Sequence, residues 1–216
     1  MRPALVVIAK APLPGRSKTR LCPPCTPSEA AALAGAALRD TLAALLAAPV
    51  DARRVLVLDG EPGPWLAPGI DVVAQRGDGL GERLAAAFED VGGPAFLVGM
   101  DTPQITPTHL AAGLRALDGA RAVLGMAVDG GYWGIGLRDP AHGAFTGVPM
   151  SAGRTGARQL ARLGALGLAP ALLDTLRDVD RIEDARAVAA VAPATRFAAA
   201  LALIEAQIAA RGRVAA

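Results

Sequence analysis

The sequence predicts an α/β domain, a three-layer α/β/α Rossmann-like sandwich with a mostly parallel mixed sheet. Short apolar runs alternate with stretches at helical spacing from residue 4 almost to the end. The strand-like runs are apolar throughout, as strands buried on both faces are. Hydrophobic residues make up 52% of the 216-residue chain and aromatics only 3%, so a large core must be built mostly from Ala, Val and Leu.

Ala4 to Ala9 reads as a fully buried strand. A loop from Lys10 to Pro24 follows, with Gly15 and four prolines. Thr26-Pro27-Ser28-Glu29 opens a helix: Thr26 caps it, Pro27 suits its first turn, and Glu29 completes a capping box. Leu38, Leu42, Leu45 and Leu46 carry that helix to about Ala48. Arg54 to Leu58 is a second strand, ended by Asp59-Gly60, and Ile70 to Ala74 a short third. A helix within Gly79 to Val91 sets Leu84, Ala87, Phe88 and Val91 on one face. Ala95 to Met100 is a fourth strand, with Asp101 at its C-terminal end, and Thr106-Pro107 opens a helix to about Leu117. Arg121 to Ala127 is a fifth strand, leading to Asp129, and Tyr132 to Leu137 a sixth. Gly153 to Leu166 is helical, Ala171 to Leu173 a further strand, and Arg177 to Asp180 extended. Arg181 to Val191 and Ala194 to Arg211 close the chain as helices. Without a linker or internal repeat, one domain over 1–216 is expected, with a helical C-terminal extension at about 194–211.

Several function classes are disfavoured. The net charge is +2, no segment is a basic block and no aromatics interleave with basic residues, so no nucleic-acid partner is expected. The run at 4–9 is too short for a signal-peptide core. Phe197 to Ala210 holds Glu205 and Gln207 and is too short to span a bilayer. No membrane span and a cytoplasmic location are therefore the expectation. Cys22 and Cys25 form Cys-Pro-Pro-Cys, but a zinc site needs about four ligands, and His109 and His142 stand alone. Reduced, incidental thiols are expected.

Ligands of open parallel sheets bind beyond the C-terminal strand ends, and four unusual segments fall there. The first loop holds Lys10, Arg16, Lys18 and Arg20 around Gly15. Positive charge on a glycine-containing turn suits a polyphosphate. Lys10 and Lys18 are the only lysines among 22 basic residues. Lys18-Thr19 suggests a P-loop, but positions 17 and 12, where that motif needs glycine, are Ser and Pro. Gly77-x-Gly79 would need a third glycine at position 82 for a dinucleotide fingerprint, and that residue is Glu. The second segment is Gly99-Met-Asp-Thr-Pro103, in which Asp101 either holds Mg²⁺ or Mn²⁺ or caps the turn. The third is Val128-Asp-Gly-Gly-Tyr-Trp133, a turn followed by two of the few aromatics; Trp133 could equally be core. The fourth is Asp178-Val-Asp180, whose carboxylates could instead cap the next helix.

Together these segments resemble the DUF2064 family of glycosyltransferase-like proteins. The resemblance rests on Ile8-Ala-Lys-Ala-Pro-Leu-Pro-Gly-Arg-Ser-Lys-Thr-Arg-Leu-Cys-Pro-Pro24, Gly79-Leu-Gly-Glu-Arg-Leu84, Gly99-Met-Asp-Thr-Pro103, Asp129-Gly-Gly-Tyr-Trp133 and Asp178-Val-Asp180, in that order. It implies the nucleotide-diphospho-sugar transferase (glycosyltransferase type A) fold. It also implies roles. Arg16, Lys18 and Arg20 would contact nucleotide phosphates, and Gly79, Gly81 and Arg83 would lie near base or ribose. Asp101 and Asp180 would be metal carboxylates, and Asp129, Gly130 and Gly131 would face sugar or acceptor, beside Tyr132 and Trp133. Met150-Ser151 departs from the Trp-Ser of many relatives, which bears on the acceptor pocket.

The leading expectation is an enzyme: a Mg²⁺- or Mn²⁺-dependent transferase that moves a sugar from a nucleotide-sugar to a small-molecule acceptor. The alternatives are a nucleotidyltransferase that consumes a nucleoside triphosphate, and a nucleotide-binding module without turnover. No His is well placed as a general base, which leaves a carboxylate, Asp129.

Overall fold

The computed structural model describes residues 2–140, 142–150 and 152–214; Ser151 of the Met150-Ser151 pair lies outside them. The apolar runs become the strands of one sheet: β1 (Ala4–Lys10), β2 (Arg53–Asp59), β3 (Asp71–Ala74), β4 (Ala95–Gly99), β5 (Ala122–Ala127), β6 (Tyr132–Leu137) and β7 (Ala171–Leu176). Their order across the sheet is β3-β2-β1-β4-β6-β5-β7. All neighbours run parallel except β6, which is antiparallel to both β4 and β5. The mixed, mostly parallel sheet is as expected. The last strand is twice the length read from sequence, because Asp174 and Thr175 interrupt its apolar run without ending its pairing to β5.

Helices α1 (Pro27–Ala47) and α3 (Pro107–Ala116) cover one face of the sheet, and α2 (Leu80–Val91) and α4 (Thr155–Ala165) the other. Helices α5 (Ile182–Val191) and α6 (Arg196–Val214) pack on the outer side of α1. This explains why α1 is apolar almost all round: Leu38, Leu42 and Leu45 face the sheet, while Leu33 and Ala37 meet Phe197 and Leu201. The capping box at Thr26 and Glu29 forms as read, with backbone donors at 3.2 and 2.8 Å. The buried Asp40 of α1 accepts from the backbone N–H of Arg196 and Phe197 at 3.1 and 2.8 Å, so it caps α6 from outside that helix.

The topology itself points to a crevice. From β1 the chain winds outward to β2 and β3, then returns to place β4 on the other side of β1. The order reverses between β1 and β4, and ligands of open sheets bind beyond the C-terminal strand ends at such a reversal.

Candidate functional site

The loop that leaves β1 into this cleft is turned by Ser17, whose hydroxyl donates to the Ala11 carbonyl at 3.2 Å. Lys18 then takes a left-handed conformation, φ 51°. Its side chain points inward, only 7% exposed, and its ammonium lies 2.6 Å from Oδ1 of Asp101. It also donates to the Val179 carbonyl. The left-handed turn thus buries the Lys18 side chain against the end of β4. Two residues on, Arg20 pairs with Asp180 at 2.7 Å across a half-exposed contact. Lys10 and Arg16 are exposed and form no ion pair among the described residues.

The chain beyond β7 is stitched to the end of β4. The Val179 N–H donates to the Asp101 carbonyl at 2.8 Å, Thr102 donates to Oδ1 of Asp178 at 2.7 Å, and Gln104 donates to the Arg177 carbonyl at 2.7 Å. The fully buried Val179 anchors the segment beside Leu21. The next helix is capped by neither Asp178 nor Asp180; Asp184 accepts from the Arg181 N–H at 3.0 Å. Burial pushes the Asp178 carboxyl up to about 6, and the negative charges of Asp101 and Asp129 push the same way. The Thr102 hydrogen bond and Lys18 oppose the rise. Asp101, Asp129 and Asp178 thus share one field, while Asp180 is engaged by Arg20.

The turn after β5 is clamped. Oδ1 of Asp129 accepts from the Gly131 N–H at 2.8 Å, and the Gly156 N–H donates to the Gly130 carbonyl at 2.9 Å. Gly130 has φ 87°, and a Cβ there would overlap the Gly153 carbonyl, so only glycine fits. Alternation along β6 sends its two aromatics to opposite faces. The Tyr132 hydroxyl lies toward Met150 and Gln159 below α4, and burial raises its pKa. Trp133 is 3% exposed, stacks edge-on against Phe96 and donates to the Asp174 carbonyl at 2.9 Å. Trp133 is therefore a core residue, the second of the two readings its segment allowed.

On the β2 side, Arg83 is occupied by Asp59 at 2.8 Å and by the Gly77 carbonyl at 3.1 Å. It braces the start of α2 instead of presenting a free guanidinium. Gly79 faces open space, and Gly81 packs its backbone near Met150 and Phe145.

Two of the convergent segments, at 99–103 and 128–133, lie within the stretch that matches a known family. Residues 32–152 match DUF2064, described as an uncharacterized protein conserved in bacteria. The chain belongs to this family. Among curated proteins, none matches it. A crystal structure from Desulfovibrio desulfuricans G20, provisionally named a nucleotide-diphospho-sugar transferase, is 25% identical with TM-score 0.84, over 95% of this chain and 96% of that one. The fold is also that of a Thermus thermophilus 2-C-methyl-D-erythritol 4-phosphate cytidylyltransferase, at TM-score 0.54 and 17% identity, over 95% of this DUF2064 chain and 100% of the other. A CMP:2-keto-3-deoxy-manno-octonic acid synthetase in complex with CTP shares it at TM-score 0.57 and 13% identity, over 89% and 99%.

Reading from sequence missed three things here. Asp178, given no site role of its own, faces Asp101; the Thr102 hydroxyl holds it; and the Val179 carbonyl receives Lys18. Asp178 and Thr102 were visible inside unusual motifs, but the backbone acceptor carries no sequence signal.

Proposed function

We propose that this chain is a metal-assisted transferase whose donor is a nucleotide-sugar and whose acceptor is a small molecule. The observation that carries this reading is the meeting of the basic loop at 10–20 with Asp101, Asp129, Asp178 and Asp180 at the β1/β4 crevice. The fold shared with the Desulfovibrio protein supports it. Lys18 and Arg20, with the free Lys10 and Arg16, would bind the diphosphate, and the open backbone at Gly79, with Gly81 beside it, would border ribose and base.

The donor set fits a divalent cation shared with phosphate. Among the described residues no three Asp, Glu, His or Cys side chains form a cage. Mg²⁺ is commonly held by one or two carboxylates with waters and substrate phosphates completing its shell. Asp101 and Asp180 would hold it, and Asp178 would add negative field. When bound, such an ion supplies charge neutralisation for the departing diphosphate. The free oxygen of Asp129 would take the proton of the acceptor hydroxyl as that oxygen attacks the anomeric carbon. The bond from that carbon to the diphosphate breaks, and its electron pair leaves with the nucleoside diphosphate. Gly130 and Gly131 would let the acceptor approach closely, with Tyr132 in the wall.

The test is a panel of nucleotide-sugars and nucleoside triphosphates, each with and without Mn²⁺. A stabilising ligand at 100 times its Kd adds about 2.7 kcal/mol, enough to find it by melting. Mn²⁺-dependent release of nucleoside diphosphate is expected. Pyrophosphate release from a triphosphate would make the chain a nucleotidyltransferase, and binding without turnover of either class would make it a binding module.

A further inference from the structure

Two ion pairs run in parallel from one loop to two separate acidic segments. Lys18 reaches Asp101 at 2.6 Å, and Arg20, two residues on, reaches Asp180 at 2.7 Å. The Lys18 side chain is nearly sealed, at 7% exposure, with the Val179 carbonyl as a second acceptor. The two residues best suited to phosphate are thus bound to the two carboxylates best suited to a cation. At these two pairs a bare anion meets a lysine and an arginine already engaged, and a bare divalent ion meets two carboxylates already neutralised. An anion bound by Lys18 competes with Asp101, and a cation bound by Asp101 competes with the ammonium.

We infer that the site is loaded by partner exchange, so that divalent cation and polyphosphate bind as one unit. Lys18 and Arg20 move from Asp101 and Asp180 onto the phosphates, and the carboxylates so released take the cation. This rests on the metal-and-nucleotide reading above and deepens it: the ligand is the metal–diphosphate chelate, and each half binds poorly alone. Every charge in the loaded state faces an opposite one, so opening the two pairs leaves no ion unmatched. The exchange also ties the loop at 11–20 to the segment at 177–180. The coupling is reciprocal, since whatever the cation does for phosphate affinity the phosphate does for cation affinity.

The experiment measures protein-bound Mn²⁺ by equilibrium dialysis of wild type and of Lys18→Met, with and without inorganic pyrophosphate on both sides of the membrane. Wild type should bind Mn²⁺ weakly alone and about tenfold or more tighter with pyrophosphate present. Lys18→Met frees Asp101 of its resident ammonium. It should bind Mn²⁺ alone about tenfold more tightly than wild type and should lose the pyrophosphate enhancement. Arg20→Met, at an exposed pair whose loss will not unfold the chain, should show the same two changes at smaller size and serves if Lys18→Met does not fold. If wild type shows the enhancement but neither variant gains Mn²⁺ affinity, the exchange is overturned while the metal-and-nucleotide reading stands. If wild type shows no enhancement, the exchange fails. Absence of Mn²⁺-dependent nucleotide-sugar turnover as well would remove the reading beneath it.

Discussion

The Thr102 hydroxyl donates to Oδ1 of Asp178 at 2.7 Å, joining the end of β4 to the chain beyond β7 through two side chains. That bond fixes a carboxylate in a place where burial and two neighbouring carboxylates work against its charge.

The first prediction is a pH dependence. The folded protein holds the Asp178 carboxyl at about 6, against 3.8 without these surroundings. A raised carboxyl pKa means that the folded state binds the proton more tightly than the unfolded chain. Its relative stabilisation is complete below about pH 4 and is lost as pH rises through 6. Ligand-free wild type should therefore lose about 1–3 kcal/mol from this group between those limits. Asp178→Asn keeps an acceptor for Thr102 and should lack that loss. Melting of both proteins at pH 4.5 and 7.5 checks it; a gap between them that does not widen with pH contradicts the assignment.

The second concerns Asp101→Asn. A cap alone needs only an acceptor, which Asn supplies, whereas a cation ligand needs the charge. Metal-dependent nucleotide binding should be lost, as measured by calorimetry. From sequence alone, the ligand-free melting temperature would be expected to hold or rise as carboxylate repulsion is relieved. The structure reverses that expectation, because the substitution leaves the nearly buried Lys18 ammonium without its counter-charge. A loss of about 1–3 kcal/mol is expected.

The third separates core from site at Trp133. A Cβ on Gly125 would overlap the Trp133 indole, so Gly125→Ala should cost about 1–3 kcal/mol through overpacking. Trp133→Phe should also lower the melting temperature yet leave the KM for the acceptor unchanged. A changed acceptor KM with unchanged stability would return Trp133 to the site.

The fourth revises the view of the thiols. Cys25 is buried beside Leu21, Leu33 and Phe197, and burial raises its pKa. An incidental surface thiol would tolerate Ser without cost. Here the hydroxyl enters an apolar cluster, and Cys25→Ser should destabilise by about 1–3 kcal/mol. Cys25→Ala should cost less, and activity per folded molecule should be unchanged in both, by melting and turnover assays run together.

The residues alone determined the local elements and which segments gather at the C-terminal strand ends. Apolar runs at 4–9, 54–58 and 95–100 can be little but buried strands, and Thr26 with Glu29 specifies a helix start through contacts three residues apart. The same short-range logic put Lys18, Asp101, Asp129 and Asp180 at the C-terminal strand ends, where a parallel sheet gathers its ligands. Only the tertiary structure decided which charge meets which. Lys18 and Asp101 are 83 positions apart, and Arg20 and Asp180 160 apart, so their pairing follows from strand order and the left-handed turn at Lys18. The same holds for Trp133 and Tyr132. Their composition marks both as unusual, but a strand's period of two sends neighbours to opposite faces, and packing of α3 and α4 decides which face is closed. Local propensity acts over a few residues of chain, whereas charge pairing and burial act through space, and space is assigned by the sheet.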